Sequence, residues 1–478
     1  MPKTVEIIFF ALIFIIASTA HALTLPDSGN DRSLNPAISA DGNTIAFYSA
    51  ANDLVAGDNN SHYDIFVYSR GFATTDLLTP GANGDSYAPS VNEDGSYVAF
   101  YSTASNLVQN DSNGNADIFI YEQSTGTVLP VTQGGNGNSY DPSISADGRY
   151  VAFWSEASNL VAADNNGKAD VFVYDRVGGT IEILTPGANN SSFKPSISGT
   201  GDYVAFHSFA SNLSILDTNG NKSDIFAVDR TNGTTEILTP GGDSVSRDPS
   251  ISANGQYVVF RSQASNLVQS DLNGTREDIF VHDRVTGTTE LITANGNASS
   301  RDPFISADGR YVAFHSKASN LVVNDPNGTI GDIFLYDRTT QVMAIITSGA
   351  NASSRKPSMS LDGQAIVFRS KASNLVAADP NAMVDDIFFH GSVPTPTLSI
   401  DDVIVSEGVA SADFTVSLSA ASTLPVTVEV ATVDGDAVAP ADYTAAVSYT
   451  HLTLPTHRVE GGCGGGGEGG GVGGAGGG

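Results

Sequence analysis

Along this 478-residue chain, seven pairs of aspartates each bracket a short polar loop, as in "ADNNGKADVFVYD", where Asp164 and Asp170 flank Asn-Asn-Gly. The pairs are Asp58/Asp64, Asp111/Asp117, Asp164/Asp170, Asp217/Asp224, Asp271/Asp278, Asp325/Asp332 and Asp379/Asp386. Two carboxylates, an Asn amide such as Asn166 and turn carbonyls are the oxygen ligands that a hard cation takes, and a Gly lets the backbone fold around the ion. Ca2+ is therefore the candidate cofactor, with Asp111, Asp117, Asp164, Asn166, Asp170, Asp217, Asp224, Asp271, Asp278, Asp325 and Asp332 as candidate ligands. The same residues also have an architectural use. The first Asp of a pair can cap the Asn-Gly turn, and the second can bond to loop amides at the start of a strand. The loop is not an EF-hand, because it lacks an acid at the fifth position and a closing Glu, and its Gly comes fourth rather than sixth. The seventh loop, "DPNAMVDD", has no Gly, and the spacing grows by one residue from Asp217 onward. Both changes count against one strict coordination geometry in all seven.

A second pattern could bind an organic ligand. Close variants of "PSISADG" begin at Pro36, Pro89, Pro142, Pro195, Pro249, Pro303 and Pro357. Two residues before these prolines the chain carries Leu34, Tyr87, Tyr140, Phe193, Arg247, Arg301 and Arg355. Directly after the Phe of the next apolar run it carries Tyr48, Tyr101, Trp154, His207, Arg261, His315 and Arg369. The early repeats are thus largely aromatic at both positions, and the late ones are Arg or His. Rings offer stacking surface and guanidinium groups grip carboxylates, so Tyr87, Tyr101, Tyr140, Trp154, Arg247, Arg261, Arg301, Arg355 and Arg369 are candidate contacts for an anionic glycan, such as one built of uronic acids, or an anionic peptide. The alternative is that these side chains fill space between repeats, each Arg lying on a neighbouring ring or Asp.

The elements that would position these residues follow from the period. The repeat prolines are 53 residues apart up to Pro195 and 54 apart beyond it. Each unit reads as a short strand ("PSIS"), an Asp-Gly turn, a second strand ("YVAFWS"), the Asp loop, a third strand ("DVFVYDR"), a Gly turn and a fourth strand ("TIEILT"). Seven such units predict an all-β fold, a seven-bladed β-propeller of four-stranded blades. The seventh unit lacks its fourth strand, and "ALTLPDSGNDRSLNP" (22–36) matches the missing piece. The N-terminal strand is therefore expected to close the ring and remove its open sheet edges. In that arrangement the Asp loops share one face with the aromatic and arginine positions. The units resemble the TolB-type (WD-like) propeller repeat over about residues 23–391, on "PSISADGRYVAFWS" and "DVFVYDR". That resemblance implies a fold and leaves function open.

The flanking segments read differently. Residues 1–22 read as a signal peptide: Lys3, an apolar run, then Ala20-His21-Ala22 as a cleavage pattern. Residues 392–397 form a Pro-containing linker. Residues 398–445 ("VIVSEG", "FTVSLSAAS", "PVTVEVATVDGDA", "ADYTA") resemble the first half of a Calx-beta domain. That family implies a calcium-associated β-sandwich, here truncated to a partial β-sandwich, with Asp402, Glu407, Asp434, Asp436 and Asp442 at matching acidic positions. A half-sandwich exposes a sheet face and is expected to fold poorly. Residues 446–478 fit neither domain. "VSYTHLTLPT" resembles an adapter-derived ending and leads into a Gly-rich tail, so this low-complexity stretch is expected to be an assembly artefact.

Composition bounds the function. There are 52 acidic against 22 basic residues, a net charge of -30, which argues against nucleic acid as a partner. The single Cys463 allows no internal disulfide and no Cys-built zinc site. No GxSxG, HExxH or paired-histidine spacing occurs, and His207 and His315 occupy one repeat position. The chain therefore reads as a secreted, periplasmic or cell-surface binding or scaffold module rather than an enzyme, taking a glycan or protein ligand at one propeller face, with no stable membrane span in the mature chain. Two other readings stay open: a propeller-type lyase or hydrolase acting on uronate polymers, and a protein-interaction subunit of an envelope assembly.

Overall fold

The computed structural model describes residues 29–391, apart from 270, 272, 377, 378, 380, 382 and 383, together with short strand segments outside that range. Within it the chain is a seven-bladed β-propeller, each blade a four-stranded antiparallel sheet. Blade 3 shows the pattern: Ser139–Ile144, Tyr150–Ser155, Asp170–Asp175 and Thr180–Ile183 pair in chain order. The first strands of the other blades are Ser33–Ile38, Ser86–Val91, Ser192–Ile197, Ser246–Ile251, Ser300–Ile305 and Ser354–Met359 for blades 1, 2, 4, 5, 6 and 7. First strands of neighbouring blades contact one another, so they line the central channel. Leu23–Thr24 pairs with Asp386–His390 and is the fourth strand of blade 7, which closes the ring as the sequence predicts.

The blades hold together because each strand serves two faces. On the third strand of blade 3, Val171 and Val173 pack toward blade 4 while Phe172 packs toward blade 2. The second strand does the same with Ala152 on one side and Val151 and Phe153 on the other. One face of a blade is thus large and the other small, and stacking fits one into the next. Phe153 and Phe172 lie 5.6 Å apart and both are fully buried. At the other end of each blade the Asp-Gly turn meets the preceding blade. Gly309 has φ +75°, and a Cβ there would fall 2.1 Å from the Tyr257 ring, so only Gly fits. The Arg after the third strand reaches back over that same ring: Arg338 lies 4.3 Å from the Tyr257 centroid and donates to the Gly309 carbonyl at 2.6 Å. Arg230 over Tyr150 and Arg284 over Tyr203 repeat the staple.

Among the described residues no helix is long and apolar enough to cross a membrane. Residues 1–18 and 393–478 form a separate unit. It contains two three-stranded sheets, one of Phe9–Phe10, Val426–Ala431 and Val447–Leu452, the other of Leu398–Ile400, Ser411–Leu418 and Val459–Gly464. The Calx-beta acidic positions Asp402, Glu407, Asp434, Asp436 and Asp442 lie outside the described residues.

Candidate functional site

The two variable positions that the sequence singles out are direct cross-strand partners. Tyr87 faces Tyr101, Tyr140 faces Trp154, Phe193 faces His207, Arg247 faces Arg261, Arg301 faces His315 and Arg355 faces Arg369. A buried Ser–Ser hydroxyl pair sits beside each, as in Ser139 and Ser155 at 2.9 Å, and pins the strand ends.

In blades 1–4 the rings form one continuous stack. Successive centroids from Tyr48 through Tyr87, Tyr101, Tyr140, Trp154 and Phe193 to His207 lie 5.2, 5.3, 5.2, 4.6, 4.9 and 5.7 Å apart. Contacts between blades are edge-to-face and those within a blade are tilted, both favoured aromatic geometries. Burial and the Asp85 carboxylate, which accepts the Tyr87 hydroxyl at 3.0 Å, raise the Tyr87 pKa. The stack ends at Phe209, where Arg247 lies 5.5 Å from the ring centroid.

The arginine half divides in two. Glu277, only 4% exposed, accepts from both Arg261 and Arg301, and Arg261 also pairs with Asp248. Those two arginines are neutralised within the protein. Arg247, Arg355 and Arg369 make no ion pair among the described residues, and the Nε atoms of Arg247 and Arg369 are buried without a hydrogen-bond partner. Arg369 is close enough to lower the Tyr48 pKa, although burial dominates and raises it.

Between the rings and the channel axis lies a layer that the sequence reading did not single out. In every blade the register of the first strand shifts by a bulge, and the residue just before the repeat proline has positive φ: Asn35, Ala88, Asp141, Lys194, Asp248, Asp302 and Lys356, at 46° to 54°. Lys194 reaches Asp248 of the next blade at 3.1 Å, and Lys356 reaches Asp302 at 2.8 Å. Trp154 donates to Asp141 at 2.9 Å. Burial alone would lower the Lys356 pKa, but Asp302 and Asp248 outweigh it and raise it. Lys356 still keeps 36% of its side-chain surface accessible. The column Asn-Ala-Asp-Lys-Asp-Asp-Lys carries the signal, since each Lys stands one blade away from an Asp that it pairs with.

His207 and His315 are both buried, and burial pushes their pKa down to about 3 and about 4. His315 packs against Gly331, where a Cβ would fall 2.2 Å from its Nε2. Among the described residues no group of three or more His, Cys, Asp or Glu is placed to hold a metal ion.

The Asp loops show the architectural use. In blades 1–6 the second aspartate accepts a hydrogen bond from a Thr at the end of the fourth strand, as Thr185 to Asp170 at 2.6 Å and Thr132 to Asp117 at 2.8 Å. Asp64, Asp117, Asp170, Asp224, Asp278 and Asp332 are fully buried. Burial raises their pKa, to about 6 at Asp170 and Asp224, with the first aspartate of each pair adding to the rise.

Two solved structures share this architecture. The chain has the fold of a solved oligogalacturonate lyase in complex with manganese, at TM-score 0.52 and 10% identity, over 82% of this chain and 98% of that one. An oligogalacturonate lyase from Vibrio parahaemolyticus gives TM-score 0.52 and 11% identity over the same shares. At such identity the likeness shows the propeller fold. A TolB structure from Acinetobacter baumannii aligns at TM-score 0.38 and 14% identity, over 69% of this chain and 77% of that one. A probable dipeptidyl-peptidase 5 of Aspergillus niger is 25% identical over 201 residues, or 40% of this chain. The chain spans about a quarter of that relative's length, 24%. No family model matches the chain.

Proposed function

We propose that the propeller is a non-catalytic binding or scaffold module of the cell envelope or exterior, whose channel face takes an anionic glycan or peptide. One observation carries this reading. In a chain of net charge -30, Arg247, Arg355 and Arg369 gather on one face without a carboxylate partner among the described residues, and two of them bury an unpartnered Nε–H. A buried guanidinium donor left unsatisfied is costly, and a ligand carboxylate relieves that cost. The aromatic stack beside it supplies an apolar wall for a sugar ring or a peptide side chain. Ca2+ enters this reading as a stabiliser of the rim.

Titration of the full chain with uronate oligosaccharides, neutral oligosaccharides and acidic peptides tests it. Saturable binding confined to anionic ligands, weakening as salt rises, supports it; equal binding of neutral ligands sinks it. A second reading, a lyase or hydrolase of uronate polymers, is favoured by the shared fold with oligogalacturonate lyases. Release of shortened or unsaturated products in the same titration would select it. A third, an interaction subunit of an envelope assembly, would show as recovery of a defined protein partner with no glycan binding.

A further inference from the structure

The Asp loops come in two kinds, divided by the one-residue insertion. In blades 1–3 the loop Asn has its Oδ1 occupied by the backbone N–H two residues on. His62, Asn115 and Lys168 donate to Asn60, Asn113 and Asn166, each at 2.8 Å. In blades 4–6 that bond is gone. The Asn amide nitrogen instead donates twice, to the second aspartate and to a carbonyl in the loop leading to the next blade. For Asn219 these are Asp224 at 3.0 Å and Gly242 at 3.0 Å; for Asn273, Asp278 at 3.0 Å and Gly296 at 3.2 Å; for Asn327, Asp332 at 3.1 Å and Ala350 at 3.0 Å. Two acceptors fix which end of the amide is nitrogen.

The amide oxygen is then stranded. Oδ1 of Asn219, Asn273 and Asn327 is buried with no donor, and so is Oδ2 of Asp224, Asp278 and Asp332, whose side chains are 0% exposed. In blade 4 the first aspartate adds a third such oxygen, Asp217 Oδ2. The three residues are neighbours, since the Asn219 backbone N–H donates to Asp217 Oδ1 at 3.3 Å and its side chain to Asp224. Blade 2 is the fullest contrast: Asp117 has both oxygens partnered, Oδ1 by Thr132 and Oδ2 by Asn113, each at 2.8 Å. Blades 1 and 3 also bury carboxylate oxygens without a donor, Asp64 Oδ2 in one and both Asp164 oxygens with Asp170 Oδ2 in the other, so the stranded Asn oxygen is what sets blades 4–6 apart from them. Among the described residues, three buried, electron-rich oxygens in blade 4 and two in each of blades 5 and 6, always including the Asn amide oxygen and a carboxylate oxygen, have no donor and lack a positive charge. All the donors are oxygen, which suits a hard cation, and irregular loop geometry completed by water suits Ca2+ better than Mg2+.

We infer that the loops of blades 4, 5 and 6 are Ca2+ sites, built from Asp217, Asn219 and Asp224 and from the equivalent residues of the next two blades. The bound ion ties the start of the third strand to its own loop and, through the Asn, to the connection into the following blade. This assignment is independent of the channel-face reading and survives its failure.

The test is Ca2+ stoichiometry by equilibrium dialysis on the full chain after chelator treatment, with Mg2+ in excess. The triple variant D217N/D271N/D325N, which leaves the Thr-bonded aspartates intact, should bind three fewer ions than the parent. The variant D58N/D111N should lose none. No binding by the parent at about 10 mM Ca2+, or equal loss in the two variants, overturns the assignment. Should the triple variant not fold, thermal unfolding of the parent decides: a Ca2+-dependent rise in Tm supports the sites and an unmoved Tm refutes them.

Discussion

In blades 1–4 the paired positions at the mouth of the channel hold rings, with Leu34 the exception; in blades 5–7 the same backbone positions hold Arg or His. The ring half is complete in itself. Each aromatic edge meets the next face across the blade boundary, and the Trp154 N–H has Asp141. The arginine half needs counter-charges, and the described residues supply them for only some of its members. The position just before the third strand shows where they come from: it reads Tyr63, Ala116, Ala169, Ser223, Glu277, Gly331 and Asp385. In blade 1 it adds a ring to the stack; in blade 5 it provides Glu277. One scaffold thus carries a sealed wall and, among the described residues, an incompletely neutralised one, and the proposed anion site rests on that difference.

The contrast can be broken hardest at Glu277. Glu277→Ala leaves Arg261 and Arg301 without their shared carboxylate and should cost about 3–5 kcal/mol in chemical unfolding, while raising affinity for anions. A loss under about 1 kcal/mol would mean that Glu277 is not the counter-ion described. Trp154→Ala interrupts the ring wall and should cost about 3 kcal/mol, with anion binding largely kept.

Acid is the next lever, and it acts at the seam between the halves. Burial first, then Lys194, Arg247 and Arg261, hold the His207 pKa at about 3, with Asp248 opposing. Between that value and its ordinary 6.5 the unfolded chain carries the extra proton. Stability from the neutral ring is therefore whole above about pH 6.5 and is lost as pH falls, by up to about 1.4 kcal/mol per unit. His207→Phe extends the stack and should flatten this acid limb in unfolding curves. The smallest effect is expected far from the channel. Arg284→Ala removes one staple over Tyr203 and should cost about 1 kcal/mol without touching anion affinity.

Much of this was legible in the residues. The 53- and 54-residue period gave the blades, and "ALTLP" gave the closing strand, because a strand missing from one end of a ring must come from the other. The variable positions were legible because they break a repeat. Two things were not. The bulged column at Asp248 and Lys356 looks like turn punctuation before a proline, and only the positive φ turns it toward the channel. Glu277 occurs once, so no repeat pattern flags it. The inserted loop residue was visible, yet its consequence, the release of the Asn219 Oδ1, depends on hydrogen bonds that spacing does not reveal. The arginines that spacing made equivalent also proved unequal, since Arg261 and Arg301 are paired with carboxylates while Arg355 and Arg369 make no ion pair among the described residues.

The most direct measurement is calorimetric binding of a uronate oligosaccharide to the parent chain and to R355A/R369A, with R230A/R284A as the control for loss of two arginines elsewhere. An anion site on the channel face gives at least a tenfold loss of affinity in the first variant, consistent with about 1.5–3 kcal/mol for a charged hydrogen bond, and parental affinity in the second. Equal affinity for all three proteins would rule that site out.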